Sequence, residues 1–356
     1  MSEIPIKGVN FFIKEECLAL EFEKRYQSLS SAVLNGGFRK VKAIVNYQVD
    51  KDFSNKNPKA FLRRKLINFP KPIVGLMTAA DITKYALKYS IQKNFSVCTI
   101  VTAGISDAAS VGEDTTQPHL GTINIIVLVD AQLSRSGMVN LIGTITEAKS
   151  MALIDLDVRS KFSGELASGT TTDAVALACT GRGDAINYAG TGTNLGIITG
   201  KIVREAVKEA VQKQYLFYSN RPLINRLEER GITLEHMIDV IFKYHPELKC
   251  FSKEYVKKLI EDNLKKAEII LLTIAGLRLE EDYFKGLIPK IENINLELID
   301  KIFGLRIAKI INNKHGVKEF LNLCKNDSKT LNLGMFSKSV IKGLLAGVSS
   351  KLKSCK

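Results

Sequence analysis

The hydrophobic pattern changes character near residue 215 of this 356-residue chain. Before that point, short apolar runs alternate with Gly, Thr, Asn and Asp, a pattern typical of strands mixed with helices. After it, apolar residues recur at helical spacing and runs of β-branched residues are few. The pattern predicts an α+β N-terminal domain, in which a mixed β-sheet packs against helices, followed by an all-α C-terminal domain.

The first part of the chain contains apolar runs of two lengths. Short runs predict strands at 16–22, 39–49, 72–77, 96–103, 122–130 and 173–180. Longer stretches predict helices at 79–92, 137–156 and 195–216, the first of them favoured by an N-terminal anion, Asp81. Because strands and helices alternate only in part, we expect a mixed sheet rather than a parallel one.

The second part of the chain reads as a series of amphipathic helices. They are predicted at 222–230, 233–243, 252–267, 269–282, 295–312, 316–325 and 337–351. Thr233 follows Gly231 and is expected to cap the second helix of this series. The predicted organisation is a domain at 1–214, a linker at 215–222 and a helical domain at 223–356.

Charge is distributed unevenly along the chain, whose formal net charge is +14 at pH 7. Residues 101–200 hold five Lys and Arg against ten Asp and Glu, whereas residues 301–356 hold twelve against two. A basic tail can bind an anionic partner such as nucleic acid, but the tail lacks the aromatic interleaving of a base-stacking surface. The pattern favours a solvated basic surface, so nucleic acid is not expected as a partner.

The sequence carries no sign of membrane or secretory targeting. Its longest apolar stretches, such as 123–131, are under half of the roughly 20 residues that a membrane-spanning helix requires. The N-terminus lacks the charged start and apolar run of a signal peptide. None of the six cysteines forms a CxxC pair, which disfavours a zinc site or a disulfide framework. We therefore expect a cytoplasmic protein without membrane contact.

Small and hydroxyl residues cluster between positions 102 and 196, at the ends of predicted strands. Glycine lets a backbone approach a ligand closely, and Thr, Ser and Asn supply neutral hydrogen-bond partners. Such a surface suits a large, amide-rich ligand better than a polyanion. The cluster consists of Thr102-Ala-Gly-Ile-Ser-Asp107, Gly121-Thr-Ile-Asn124, Glu147-Ala-Lys149, Gly169-Thr-Thr-Thr-Asp173 and Tyr188-Ala-Gly-Thr-Gly-Thr193.

The candidate catalytic groups of this cluster are carboxylates and hydroxyls. His119 is the only histidine in the first 215 residues, so a Ser–His–Asp triad would have to use it. Amide hydrolysis without it requires a carboxylate that activates water or a hydroxyl, and a donor for the departing amine. Thr172, with Thr170 and Thr171 beside it, could supply the nucleophile or a donor to the developing oxyanion. The candidate carboxylates are Asp173, Glu147 and Asp107.

In order and spacing, these motifs resemble the adenosylcobinamide amidohydrolase (CbiZ) family over residues 1–212. Further matching pieces are Leu29-Ser-Ser-Ala32, Asn35-Gly-Gly37, Asn46 and Gly75-Leu-Met-Thr-Ala-Ala-Asp81. The resemblance implies hydrolysis of the amide that joins aminopropanol to a corrin propionate, which yields adenosylcobyric acid. It also implies a corrinoid, with its cobalt, as the small-molecule substrate, and no further cofactor in this domain. The candidate substrate-binding residues are Ser31, Asn35, Asn46, Gly104, Ser106, Asp107, Asn124, Thr170, Tyr188, Thr191 and Thr193.

One position departs from the family pattern. A His is common within the Tyr-Ala-Gly-Thr-x-Thr segment of the family, where this chain has Gly192. The departure keeps open a function of another class, that of a non-catalytic corrinoid-binding or regulatory protein.

The second domain resembles the archaeal α-ribazole-phosphate phosphatase (CobZ) family, which is related to phosphatidylglycerophosphatase A. The matching stretches are Leu227-Glu-Glu-Arg-Gly-Ile-Thr-Leu-Glu235, Gly286-Leu-Ile-Pro289, Asp300 to Ile310 and Gly343-Leu-Leu-Ala-Gly-Val-Ser-Ser-Lys351. The amidohydrolase and phosphatase activities that the two resemblances imply both belong to corrinoid metabolism, so their fusion in one chain is reasonable.

The resemblance implies a Mg²⁺ site made of clustered carboxylates, and this sequence departs from it. The family's Asp-Glu pair appears as Asp300-Lys301, and an acidic pair expected before the last helix appears as Ser337-Lys338. The acidic residues that could still bind metal are Glu235, Glu268 and Asp300. We expect a degenerate domain, inactive as a phosphatase, that serves packing, homodimerisation or the binding of a phosphorylated ligand. The alternative is a bifunctional enzyme, and only then would Mg²⁺ be required.

Overall fold

The computed structural model describes residues 4–115, 121–216, 218–289, 296–325 and 333–355, with 296–300 as backbone alone. The chain divides into two compact units, Met1–Asn220 and Arg221–Lys356. The candidate triad residue His119 lies outside the described residues.

Strands and helices alternate irregularly along the described part of the N-terminal unit. The strands are β1 (Val9–Lys14), β2 (Cys17–Ser30), β3 (Gly37–Gln48), β4 (Ile73–Thr78), β5 (Ala86–Ile91), β6 (Ser96–Ala103), β7 (Ala108–Ala109), β8 (Ile123–Asp130), β9 (Gln132–Leu133), β10 (Gly169–Thr170), β11 (Ala174–Cys179) and β12 (Ala185–Ile186). The helices are α1 (Pro58–Lys65), α2 (Arg135–Asp155) and α3 (Asn194–Gln214).

Eight of these strands form one mixed sheet, as the hydrophobic pattern predicts. The strand order is β4-β3-β2-β11-β8-β6-β5, and β1 pairs with β2. The β3–β4 and β8–β11 pairs are parallel, whereas the other neighbours in the sheet are antiparallel. Two short ladders, β7–β10 and β9–β12, lie outside this sheet.

Successive residues of each strand contribute to two different hydrophobic cores, because side chains alternate between the faces of a sheet. On one face, Ile125 of β8 packs in a large cluster with apolar residues of α2 and α3. On the same strand, Ile126 belongs to a second cluster that includes Leu76 of β4. Since β4 and β8 are separated by three strands in the sheet order, the sheet must curl to bring them together. Helix α1 covers β2 and β3 through Leu62 and Leu66.

The two long helices begin at side-chain caps and are joined by an ion pair. Ser134 accepts a hydrogen bond from the backbone of Gly137 at 3.1 Å at the start of α2, and Thr193 accepts one from Gly196 at 3.0 Å at the start of α3. Asp155 of α2 accepts a hydrogen bond from Arg204 of α3 at 2.7 Å, which lowers the pKa of that carboxyl to about 2. Caps and the ion pair thus fix where these helices start and how they pair.

One predicted helix of the N-terminal unit is wrong. The segment 79–92 forms a single 3-10 turn, Ile82–Lys84, followed by strand β5. Asp81 does cap that turn, since its carboxylate accepts a hydrogen bond from the Thr83 backbone at 2.9 Å. The residues that follow pair with β6, Ala86 opposite Val101, and this long-range pairing overrides a local pattern that also fits a helix.

The C-terminal unit is helical in its described residues, in agreement with the sequence pattern. Its helices are α4 (Leu223–Glu228), α5 (Leu234–Tyr244), α6 (Lys253–Leu264), α7 (Ala267–Phe284), α8 (Leu296–Lys325) and α9 (Met335–Ser354). The Thr233 hydroxyl caps α5 by accepting from the His236 backbone at 3.2 Å, as predicted. Helix α8 is interrupted by non-helical backbone at Asn312 and Asn313, where the sequence predicts a break between two helices.

Helices α8 and α9 pack against each other through glycine. A Cβ atom built on Gly343 would lie 2.4 Å from the carbonyl oxygen of Gly304, and one built on Gly347 would lie 2.6 Å from Cβ of Ile311. Contacts this short leave no room for a side chain. The backbones of the two helices therefore approach each other at these positions, and most of α9 is buried.

We predict that Gly343→Ala destabilises the protein by about 1–3 kcal/mol, because the added methyl group forces the two helices apart. The matched control is Gly143→Ala in α2, where a Cβ meets nothing within 4 Å and should stabilise the helix by roughly 0.5–1 kcal/mol. Thermal unfolding followed by circular dichroism measures both changes. Equal melting temperatures for the two variants would contradict the close contact.

Candidate active site

Three strand ends meet at one edge of the N-terminal sheet. Ala103 at the end of β6 lies opposite Ile123 at the start of β8, and Asn124 lies beside Ala174 at the start of β11. The short β7–β10 ladder places Thr170 opposite Ala108. Three of the small and hydroxyl motifs, at 102–107, 121–124 and 169–173, are therefore gathered at this edge.

The Asp173 carboxylate holds three parts of this edge together. Its Oδ2 forms an ion pair with Nζ of Lys149 on α2 and accepts a hydrogen bond from the Thr170 backbone at 3.1 Å. Its Oδ1 accepts from the Ile123 backbone at 3.0 Å and from the Thr170 hydroxyl at 2.5 Å. The Lys149 and Asp173 side chains are 10% and 12% exposed. The charge of Asp173 is thus compensated and its lone pairs are engaged.

Gly169 is the residue that permits this ion pair. A Cβ atom at this position would lie 2.5 Å from Oδ2 of Asp173 and 2.6 Å from Nζ of Lys149. Any larger residue would therefore displace one partner of the pair.

A second carboxylate, Asp107, is fully buried a few residues after β6. Its Oδ2 accepts a hydrogen bond from the hydroxyl of Thr171, and the backbone of Gly121 also interacts with the carboxylate. Burial raises the pKa of Asp107 above its ordinary value, and the nearby charge of Asp173 acts in the same direction. A Cβ on Gly121 would lie 1.9 Å from Oδ1 of Asp107, so this position also requires glycine.

The third threonine of the 170–172 run lies at the surface of the same cluster. The Thr172 hydroxyl is 2.8 Å from the Gly121 carbonyl oxygen and 2.6 Å from the hydroxyl of Thr122. Thr172 is exposed, whereas Thr122 is buried. The three consecutive threonines therefore contact Asp173, Asp107 and residues 121–122, and the Gly121 carbonyl is shared by Thr170 and Thr172.

A buried amide network lies inside the curled sheet next to this cluster. The Asn46 side chain of β3 donates to the hydroxyl of Thr102 at 2.9 Å. Asn124 donates to the side-chain oxygen of Asn46 at 2.8 Å and to the carbonyl of Met77 at 2.7 Å. These bonds connect β3 and β4 to β6 and β8 across the sheet interior. Asn46 and Asn124 are each 1% exposed, so their contacts stabilise the curl of the sheet.

Several predicted site residues lie in other places. Tyr188 and Thr193 follow the β9–β12 ladder, which lies beyond the carboxyl ends of β8 and β11 and thus at the opposite edge of the sheet from Asp173. Glu147 and Thr191 line an open groove of about 480 Å³ between α2 and α3. The structure therefore separates these four residues from the Asp173–Asp107 cluster.

The remaining candidates flank the cluster or brace a turn. Gly104 donates its backbone N–H to the Thr122 carbonyl at 3.0 Å, and the exposed Ser106 follows it. The Ser31 hydroxyl accepts from the Val175 backbone at 3.0 Å, two residues from Asp173. Asn35 has a φ of 59° and donates to the Ile73 carbonyl at 2.8 Å, which gives it a turn-forming role.

The Glu-Ala-Lys motif makes Glu147 a catalytic candidate. In the structure, Lys149 is the residue of this motif that contacts Asp173. A signal for this was present in the sequence. Lys149 follows Ile145 by four residues and Ala148 by one, which places it on the apolar face of α2. A lysine on such a face requires a buried anion as its partner.

The cluster combines a paired Lys–Asp, a buried carboxylate with a hydroxyl donor and further hydroxyls at a partly exposed edge. These are the groups that acyl transfer requires: a nucleophile, a base and donors for a developing negative charge. Among the described residues, no three His, Cys, Asp or Glu side chains are placed to hold a metal ion.

This α+β unit carries the cluster at the edge of its mixed sheet. The chain belongs to the adenosylcobinamide amidohydrolase (CbiZ) family, whose model matches residues 3–218. The match covers nearly the whole N-terminal unit.

Two curated proteins are similar to this chain over more than half of its length. An uncharacterized protein from Methanocaldococcus jannaschii is 30% identical over 223 residues, which cover 55% of this chain and 86% of that protein. A Methanosarcina mazei protein named adenosylcobinamide amidohydrolase is 29% identical over 215 residues, covering 57% of this chain and 96% of that one. Among solved structures, the L-aminopeptidase D-Ala-esterase/amidase from Ochrobactrum anthropi aligns over 63% of this chain and 91% of its own, with 12% identity and a TM-score of 0.31.

The metal-ligand candidates of the C-terminal unit lie on three helices. Glu235 is in the first turn of α5 and Glu268 in the first turn of α7. Asp300 lies in α8, in the part for which the structure describes the backbone alone. In neither unit do the described helices include one with the length and apolar character needed to cross a bilayer.

We predict that Lys149→Met lowers the free energy of unfolding by about 3–5 kcal/mol, because it leaves the buried Asp173 carboxylate without its cation. The matched control is Lys208→Met, which removes a pair with Asp155 whose side chains are 36% and 25% exposed and should cost at most about 1 kcal/mol. Urea denaturation measures both. Similar losses in the two variants would show that the Lys149–Asp173 pair contributes no more than a surface ion pair.

Proposed function

We propose that the N-terminal unit hydrolyses the amide that joins aminopropanol to a corrin propionate in adenosylcobinamide. Water is consumed, and the products are adenosylcobyric acid and aminopropanol. The observation that carries the proposal is the cluster of two carboxylates, a lysine and three threonines at the edge of a sheet that belongs to this family. Corrinoid salvage for cobalamin synthesis is the metabolic setting in which this reaction is useful.

The chemistry that we assign to the cluster follows from the difficulty of amide hydrolysis. A nucleophile must lose its proton, the carbonyl oxygen gains negative charge, and the amine must be protonated before it leaves. Asp173 fixes Lys149 and the 170–172 backbone in place, so that the lysine charge and the exposed Thr172 hydroxyl can stabilise the developing oxyanion. Such preorganised donors typically contribute about a hundredfold or more to the rate of acyl transfer.

Substrate recognition in this proposal uses neutral groups, because the corrin ring carries amide side chains. Ser31 and Ser106 are exposed next to the cluster and offer hydroxyls to such amides. Glu147 and Thr191 line the groove between α2 and α3, and the exposed Tyr188 lies at the opposite sheet edge from Asp173. We assign them no part in the chemical step.

For the C-terminal unit, we propose a packing or dimerisation role without phosphatase activity. Glu235 and Glu268 begin two different helices, and Lys301 and Lys338 stand where the resemblance leads one to expect carboxylates. Incubation with α-ribazole phosphate and Mg²⁺ should release no phosphate. Magnesium-dependent release would instead support a bifunctional enzyme.

We predict that the purified full-length protein converts adenosylcobinamide to adenosylcobyric acid both with and without EDTA, because the proposed site acts through carboxylate and hydroxyl groups. Mass spectrometry of the corrinoid measures the product. Binding of corrinoid without any product after long incubation would indicate a binding protein instead. Loss of activity in EDTA alone would show that a metal takes part.

We further predict that Asp173→Asn lowers turnover by at least about a hundredfold, since the variant loses the charge that holds Lys149 and the threonine run. Circular dichroism and a corrinoid absorbance titration establish that the variant is folded and still binds. Asp130→Asn serves as a matched control, because this carboxylate pairs with the exposed Arg182 at the other end of β8. Activity of Asp173→Asn within a few-fold of the parent would remove Asp173 from the mechanism.

A further inference from the structure

The cluster contains two pairs in which a threonine hydroxyl donates to a carboxylate: Thr170 to Asp173, and Thr171 to Asp107. Either pair has the arrangement of a nucleophile beside its base. We propose that Thr171 is the nucleophile of the reaction and that Asp107 is the base that takes its proton. This inference rests on the proposed amidohydrolase function and names the atoms that carry it out.

The first pair is poorly suited to this task. Asp173 already accepts two backbone hydrogen bonds and pairs with the ammonium group of Lys149. The Asp173 oxygens are therefore already engaged by partners other than the Thr170 hydroxyl. The Thr170 hydroxyl is also within 3.1 Å of the Gly121 carbonyl, so its hydrogen is shared between two acceptors. This pair serves to fix the loop.

The second pair has the opposite character. Asp107 is fully buried, and the hydrogen bond from Thr171 is the one that a described side chain donates to it. An ionised carboxylate in such surroundings is destabilised, so it takes up a proton more readily than an exposed aspartate does. Burial accordingly raises the pKa of Asp107. Such a carboxylate is a better general base near neutral pH.

Exposure also favours Thr171 as the attacking group. Thr171 is half-buried, whereas Asp107 is fully buried, so the threonine is the more accessible member of the pair. Oδ2 of Asp107 faces the Thr171 hydroxyl, and Oδ1 lies on the Gly121 side, where a Cβ would lie 1.9 Å from it.

The proposed reaction has two halves and consumes one water. In the first, Oγ of Thr171 attacks the amide carbon and its proton passes to Asp107. The C–N bond then breaks, the proton passes from Asp107 to the amine nitrogen, and a threonyl ester of the corrin propionate is left. In the second half, water attacks the ester carbon and gives a proton to Asp107. The C–Oγ bond breaks, Oγ recovers the proton, and the carboxylic acid is released.

The decisive test compares Thr171→Val, which keeps the side-chain volume, with Thr171→Ser, which keeps the hydroxyl. With adenosylcobinamide as the probe, we expect Thr171→Val to lower kcat at least about a hundredfold with little change in KM. Thr171→Ser should retain a substantial part of the activity. The matched control is Thr146→Ala on α2, whose hydroxyl donates only to the Ile142 carbonyl and which should leave kcat unchanged. Thr171→Val activity within tenfold of the parent would overturn the proposal.

Asp107→Asn supplies a readout that a purely structural role would not give. The charged or titratable groups that face Asp107 are Asp173, which is paired with Lys149, and Tyr215. Asp107 must be ionised to act, so the parent kcat/KM should fall as pH drops through a pKa above that of an ordinary aspartate. Asp107→Asn should lower kcat and abolish this acidic limb. An unchanged limb in Asp107→Asn would rule out Asp107 as the base.

Acid quenching during turnover, followed by peptide mass spectrometry, locates the ester. A corrinoid adduct on Thr171 supports the proposal, whereas an adduct on another residue contradicts it. Activity of the parent enzyme distinguishes failure of the proposed function from failure of Thr171 as the nucleophile. If the parent does not convert adenosylcobinamide, the proposed function fails. If the parent converts it and Thr171→Val does so equally well, the function stands and Thr171 is not the nucleophile.

Discussion

The buried ion pair between Lys149 and Asp173 is the contact on which the arrangement of the candidate site depends. Through Asp173 it joins helix α2 to the start of β8 and to the threonine run, three parts of the chain that are distant in sequence. A buried pair of this kind contributes little net stability by itself, since desolvation offsets most of the attraction. The pair instead favours one conformation of the 170–173 segment. A conformation that left either charge without its partner would be costly in free energy.

This constraint explains how two neighbouring carboxylates acquire different chemistry. Asp173 lies among donors and a cation, whereas Asp107 is fully buried near the charge of Asp173 and has no cation as its partner among the contacts described above. In the proposed mechanism Asp173 orients the site, and Asp107, whose pKa is raised by burial, transfers the protons. The glycines at 121 and 169 are part of the same arrangement, because each leaves space for one of the two carboxylates.

Much of this could be predicted from the sequence, and the exceptions have physical causes. The mixed sheet, the helical C-terminal unit and the Thr233 cap all follow from local periodicity and capping chemistry. The local pattern of 79–92 predicts a helix, but residues 86–91 form strand β5. Its pairing with β6, in which Ala86 lies opposite Val101, is not visible in the local pattern. The curl of the sheet escaped prediction for the same reason, since Asn46 and Asn124 are 78 positions apart. Hydrophobic periodicity depends on residues that are close along the chain, so it does not predict contacts between residues far apart in sequence.

For the candidate site, the sequence indicated a set of motifs but not which of them lie together in the fold. Asp173, Asp107 and the three threonines come together, while Glu147 and Tyr188 lie elsewhere on the unit. The residue types in a motif do not show at which edge of the sheet the motif lies. Lys149 was the informative exception, because a charge on the apolar face of α2 shows that an opposite charge must lie nearby in the fold.

The glycine contacts between α8 and α9 have a consequence of an entropic kind. Where Gly343 lies against Gly304, the two helices come together without immobilising any side chain, so no rotamer freedom is lost on folding. The cost falls instead on the backbone, which is more flexible at glycine in the unfolded chain. At these positions the packing of α8 against α9 is therefore determined by the backbone. A substitution elsewhere on α9 should be tolerated if the two backbones can still come this close.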